Sequence, residues 1–178
     1  MNKTDKLKNF DFNKIKLVLT DIDGVWTDGG LYYTAEGMVM KKFNVKDGMG
    51  VVRLREVGIE TGIVSGDKNE LINVRGQRLK LELIYTGIAD KKISLDEICA
   101  VRNISYENIA YIGDDVNDIP MMTYVGLTAA PSDAMPEILN MVDYVCDRKG
   151  GDACFREFIE LIISNIDRKP VSFYQGQS

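Results

Sequence analysis

The sequence predicts an α/β fold, a single domain built on a doubly wound, mainly parallel sheet. Three observations predict it. Short apolar runs of strand length alternate along the chain with helix-length segments, the pattern of successive βαβ units. Several of these runs end abruptly in polar residues and a glycine, as strands do at the carboxyl edge of a parallel sheet. And 178 residues, 45% apolar and 28% charged, suit one soluble domain with a respectable core.

The elements follow in order. A strand is read at 15–20, where Leu17-Val18-Leu19-Thr20 runs into Asp21, a poor residue for a strand interior. Residues 29–44 read as a hairpin, with β-prone Leu31-Tyr32-Tyr33 and Val39-Met40-Lys41-Lys42-Phe43 flanking the turn Glu36-Gly37. A helix over 48–57 stops at Gly58, and 60–64 is the next strand. Residues 68–79 read as helical in spite of Gly76. A short strand at 83–85 precedes a helix over 91–101, whose Ile93, Leu95, Ile98 and Val101 fall near helical spacing. Then come a strand at 109–113, a helix at 120–125, a strand at 127–130, a helix at 136–141, a strand at 144–146 and a closing helix at 155–163. No repeat or low-complexity linker interrupts the order, and the polar tail, about 170–178, reads as loose.

Four strand ends carry chemistry. Asp21 and Asp23 end the first, Ser65-Gly66 the second, Lys91 follows the third after a short loop, and Asp114, Asp115 and Asp118 follow Gly113. In a parallel sheet these ends share one edge, so residues distant in sequence can converge. The set fits phosphoryl transfer. A carboxylate can attack phosphorus, and a second can protonate the leaving oxygen and then activate water. A lysine and a hydroxyl can hold the transferring group. Crowded carboxylates need a cation, and an oxygen-only donor set suits Mg2+. Blander readings stand beside these: Ser65 as a turn serine, Lys91 as a solvated lysine at a helix start, and Asp115 and Asp118 as acids at a helix N-terminus.

The combination resembles the haloacid dehalogenase superfamily. Its first motif matches Asp21-Ile22-Asp23-Gly24, its second Ser65, its third Lys91, and its fourth Gly113-Asp114-Asp115-Val116-Asn117-Asp118. The resemblance implies that Asp21 is the nucleophile and Asp23 the general acid and base. It implies that the Asp21 carboxylate, the Asp23 backbone carbonyl and Asp114 bind Mg2+, and that Ser65 and Lys91 hold the phosphoryl group. Asp115 and Asp118 would support the site, Asp118 by orienting Lys91. The gaps between motifs leave no room for a cap domain, so the whole chain, 1–178, would be one domain with a hairpin flap at about 29–44.

That is the pattern of the capless branch, which includes phosphatases of 3-deoxy-D-manno-octulosonate 8-phosphate and of nonulosonate (sialic-acid-type) 9-phosphates. Thr27-Asp28-Gly29, the segment from Phe43 to Gly50, Gly150-Gly151 and Phe155-Arg156-Glu157 extend the resemblance. In that branch a homotetramer closes the site, the hairpin of one subunit lying against its neighbour. Asp67 after Gly66, with Arg75 and Arg78 on the next helix, points to the nine-carbon substrates. The segment Val45-Lys46-Asp47-Gly48 looks equally like the eight-carbon enzymes. Arg156 is a candidate for the substrate carboxylate, or for an ion pair with a helix carboxylate. Arg75 and Arg78 serve either the ligand or a solvated helix face.

Composition closes other routes. The chain has no histidine, which excludes a Ser-His-Asp triad, a Cys-His pair and a His-ligated zinc. A net charge of −5 argues against nucleic acid or an anionic membrane as partner. Cys99, Cys146 and Cys154 lack metal-ligand spacing and read as reduced thiols of a cytoplasmic protein. The polar, lysine-rich residues 1–9 do not read as a signal peptide, and no apolar run reaches membrane-spanning length. The expected activity is hydrolysis of a sugar-acid phosphate. A phosphatase of another small phosphate and a non-catalytic tetramerisation domain are the rivals.

Overall fold

The computed structural model describes residues 7–168. Six strands form one parallel sheet: β1 (Leu17–Thr20), β4 (Glu60–Val64), β5 (Leu83–Tyr85), β6 (Ile109–Ile112), β7 (Leu127–Ala130) and β8 (Tyr144–Val145). Their order is β5-β4-β1-β6-β7-β8, and every pair is parallel. Between β1 and β4 the chain forms a separate antiparallel hairpin of β2 (Tyr32–Thr34) and β3 (Gly37–Met40). Helices α1 (Val45–Glu56), α2 (Glu70–Arg78), α3 (Lys91–Arg102), α4 (Ile119–Met122), α5 (Pro136–Met141) and α6 (Cys154–Ser164) accompany the sheet.

The central strand is buried along its whole length, and its side chains divide the core in two. Val18 joins one cluster with Val51 and Leu54 of α1, Ile72 of α2 and Phe155, Phe158 and Ile162 of α6. Leu17 and Leu19 join the other with Leu95 and Ile98 of α3, Met121 of α4 and Ile138 of α5. The period-2 alternation of a strand therefore sends neighbouring residues into opposite layers. The chain first winds outward from β1 through β4 to β5, then crosses to β6 and winds the other way. That reversal puts a topological switch point beside β1, where a cleft forms outside the strand ends.

The predicted elements are present, with shifted ends. The first strand starts at Leu17 because a 3₁₀ turn, Phe12–Lys14, capped by Asp11, occupies the chain before it. Helix α1 starts at Val45, earlier than the predicted residue 48, because the Asn44 side chain accepts from Lys46 N and caps it. Asn69 does the same for α2, trimming its start to Glu70. Gly76 sits inside α2 because a Cβ there would lie 2.7 Å from Ile84 Cδ1 of β5. The predicted helix at 120–125 is the shorter α4, preceded by a 3₁₀ turn at Val116–Asp118. The predicted loose tail at 170–178 lies outside the described residues. Among the described residues, no helix is long and apolar enough to cross a membrane, and all three cysteines are free thiols.

Candidate active site

Asp21 remains in the ladder, its N–H donating to Ile112 O at 3.0 Å, and the chain then coils tightly. Val25, Trp26 and Thr27 all donate their N–H to Ile22 O. Gly24 adopts φ +85°, and a Cβ there would fall 2.0 Å from Asp114 Oδ2, so both the turn and the neighbouring acid require glycine. Trp26, fully buried, anchors the coil against the Phe155 ring at 5.0 Å. The coil holds Asp21 and Asp23 at one end of the sheet.

Lys91 is the first residue of α3 and is 1% exposed. A helix N-terminus disfavours a cation, so the lysine is held there by carboxylates and not by the helix. Its Nζ donates to Asp21 Oδ1 at 2.7 Å, to Asp118 Oδ1 at 2.5 Å and to Tyr111 Oη at 3.1 Å. Burial pulls the ammonium's pKa down, but Asp21 and Asp118 outweigh it and the net shift is upward. Asp118 is itself fully buried, and its Oδ2 accepts from the N–H groups of Asp114 and Asp115. It thereby fixes both the lysine and the loop that carries Asp114.

Ser65 directly follows β4, with its N–H on Tyr85 O and its Oγ accepting from Asp67 N at 3.2 Å. A cleft of about 320 Å³ opens among Asp21, Asp23, Ser65, Gly66, Asp67, Asp114, Asp115, Val116 and Asn117. The four predicted strand ends thus meet, with Lys91 buried beneath Asp21. Asp23 is bound to a residue the sequence reading missed. Lys41, its side chain fully buried, donates to Asp23 Oδ1 at 2.5 Å and pairs with Asp67 Oδ2 at 2.9 Å. Burial lowers its pKa, but the two carboxylates prevail and raise it. Tyr111 was also missed, since it reads as one more strand residue.

The candidate substrate arginines lie elsewhere. The Arg75 guanidinium packs over the Phe43 ring at 5.6 Å and donates to Asn44 O at 3.5 Å. Arg78 is exposed. Arg156 pairs with Glu160 at 2.7 Å, the ion pair offered as its alternative role. In this single chain none of the three lines the cleft, whereas Gly66 and Asp67 do.

The carboxylates fit a hard cation. Oxygens of Asp21, Asp114 and Asp118 lie within 4.8 Å of one another. Burial, aided by neighbouring acids, pushes the Asp21 carboxyl up to about 7 and that of Asp114 to about 8. Such crowding calls for a positive charge beyond Lys91. Asp118 is taken up by Lys91, Tyr111 and two backbone amides, which leaves Asp21 and Asp114 as available donors.

The profile of the haloacid dehalogenase-like hydrolases matches residues 59–157. A 3-deoxy-D-manno-octulosonate 8-phosphate phosphatase of Yersinia pestis is 38% identical over 154 residues, covering 86% of this chain and 82% of its own. The crystal structure of the Yersinia pestis phosphatase superposes with a TM-score of 0.86 at 36% identity, covering 90% of this chain and 86% of the other. The phosphatase of that name from Moraxella catarrhalis, in complex with magnesium ion, phosphate ion and a KDO molecule, gives 0.85 at 29% identity, covering 91% and 92%. A cobalt-bound form from Haemophilus influenzae gives 0.84 at 34% identity, covering 87% and 91%.

Proposed function

The chain belongs to the haloacid dehalogenase-like hydrolases and is a phosphatase, and from that premise we propose that it hydrolyses 3-deoxy-D-manno-octulosonate 8-phosphate with Mg2+. The observation that carries the reading is the pair of acids two residues apart at the cleft. Lys91 engages Oδ1 of Asp21, while Asp23 is held through Oδ1 by Lys41 and Thr27. The names of the relatives supply the substrate.

An Asp21 oxygen attacks phosphorus while the bond from phosphorus to the sugar oxygen breaks. The departing oxygen takes its proton from Asp23, and Asp21 carries the phosphoryl group as an acyl phosphate. Asp23, now a carboxylate, accepts a proton from water as the water oxygen attacks phosphorus. Phosphate leaves and Asp21 is restored. Ser65 and Lys91 offer a hydroxyl and an ammonium to the phosphoryl oxygens. Asp21, Asp114 and the Asp23 carbonyl would hold Mg2+, which supplies positive charge against the clustered acids and the phosphoryl group.

Asp67 at the cleft keeps a nonulosonate 9-phosphate as the second reading, while Arg75, Arg78 and Arg156 lie outside the cleft of the single chain. The enzyme would work in the cytoplasm as a homotetramer, each chain a single domain with the hairpin as its flap. The test is phosphate release from the eight- and nine-carbon phosphates at matched concentration, with Mg2+ and with EDTA. The expected result is Mg2+-dependent release favouring the eight-carbon substrate, and loss of turnover by a factor of at least roughly 10³ in Asp21→Asn. Turnover of that variant near wild type would remove Asp21 as nucleophile, and release from neither sugar would remove the substrate class.

A further inference from the structure

Lys41 lies one residue beyond β3, at the root of a hairpin whose strands are otherwise half-buried or exposed. Its neighbour Lys42 has a side chain 62% exposed and a surface pair with Asp28. Lys41 is the opposite case, with no exposed side-chain surface and an ammonium shared between Asp23 and Asp67. Taking an ammonium out of water is costly, and the arrangement persists only because both carboxylates meet it at hydrogen-bonding distance.

The two oxygens of Asp23 are used unequally. Oδ1 accepts from Lys41 Nζ at 2.5 Å and from Thr27 Oγ at 3.3 Å. Among the described residues Oδ2 accepts from none, and Asp23 lines the cleft. An acid–base carboxyl needs this asymmetry: one oxygen held so that the group has a fixed pose, the other open to exchange a proton. Asp67 is the second anchor. It is tied to the start of α2 through Asn69 N on its Oδ1, and to Lys41 through Oδ2. Met38 of the hairpin meets the same α2 cap, its sulfur accepting from Asn69 Nδ2 at 3.2 Å.

We propose that Lys41 is the positioning residue of Asp23, holding it by Oδ1 with Asp67 as counter-anchor, so that the pose of the acid–base group follows the pose of the hairpin. The inference rests on the assignment of Asp23 as general acid. It gives Asp67 an electrostatic role at the cleft rim and makes the hairpin part of the catalytic apparatus, beyond its use as a cover.

The test uses leaving groups. The value of kcat/KM extends only through the first phosphoryl transfer, where Asp23 protonates a sugar alkoxide. p-Nitrophenyl phosphate releases a stable phenolate that needs no proton. Both are measured for wild type, Lys41→Met, Asp67→Asn and Asp23→Asn, the alkyl substrate being the sugar phosphate that wild type hydrolyses fastest. Lys41→Met is expected to lose on the order of 10²-fold on the sugar phosphate, the lower end of general-acid contributions, and to be largely spared on the nitrophenyl ester. Asp67→Asn is expected to show the same selectivity, more weakly. Retained hydrolysis of the nitrophenyl ester certifies a folded site with a working nucleophile. Equal loss on both substrates in a Lys41→Met that keeps measurable activity overturns the proposal, and if Lys41→Met is inactive on both, the selectivity of Asp67→Asn decides. If Asp23→Asn itself loses equally on both, the acid assignment falls. If Asp23→Asn discriminates and the Lys41 and Asp67 variants do not, only the positioning role falls.

Discussion

Asp114 shows how little room one carboxylate has at this site. Gly24 must lack a Cβ to admit it, and Asp118 holds its backbone N–H. With burial and three neighbouring acids raising its carboxyl to about 8, a bound divalent cation should favour the folded protein over the unfolded one. We expect thermal melts of wild type to rise with Mg2+, by about 2.7 kcal/mol at a hundredfold excess over Kd, or roughly 5–10 °C for a domain of this size. Asp114→Asn should remove most of that gain, and wild-type melts that coincide in Mg2+ and EDTA would refute it. The acids were legible in the sequence because aspartate at the end of an apolar run has no role in a strand. Lys41 was not, because Lys41-Lys42 looks alike in sequence and only the fold buries one of the pair.

Helix α6 begins without a cap of its own. Ala153, with φ +68°, offers no side-chain acceptor. The acceptor comes instead from α1, where buried Asp47 takes the Arg156 N–H at 3.0 Å on Oδ1. Burial raises the Asp47 carboxyl to about 6, against the pull of Arg156 N and Arg75. The folded chain therefore binds this proton more tightly than the unfolded chain, whose carboxyl stays near 3.8. Stability from this group is greatest below that value and is lost as pH rises through about 6, by about 3 kcal/mol in all. In urea melts the stability of Asp47→Asn relative to wild type should climb by most of that amount between pH 4 and pH 7, and parallel curves would refute it. Strand positions were legible because each is a short apolar run between polar turns. The start of α1 was not, because Val45-Lys46-Asp47 carries no helical periodicity and a cap at Asn44 sets its first turn.

At the scale of the molecule, the doubly wound parallel sheet was legible from alternation alone, whereas its switch point beside β1 comes from the strand order, and the two bring residues 21, 65, 91 and 114 together. What a single chain leaves open is the hairpin. Leu31, Tyr33 and Val39 are 54, 64 and 56% exposed, an apolar group that invites a covering surface. If neighbouring chains provide it, Tyr33→Asp with Val39→Asp should convert a four-chain species to monomer in sedimentation and lower turnover together with mass. A monomer as active as wild type would refute closure by assembly, and a monomeric wild type at micromolar concentration would refute the assembly itself. The arginines absent from the cleft belong to the same question, because sequence motifs report which residues a site uses and not which copy of the chain supplies them.

The placement of β1 between β4 and β6 also bears on how the molecule is made. Its partners lie far along the chain, Thr20 pairing with Ile63 on one side and Ile112 on the other. A ribosome adding 5–20 residues per second needs on the order of 5–20 s to produce the second of them. Throughout that interval a nascent chain carries Leu17-Val18-Leu19 with the β6 side unpaired, an edge fit for chaperones or for misplaced pairing. Phosphatase activity, which needs Asp21 and Asp114 on the two sides of that last junction, would then appear only once synthesis has passed β6.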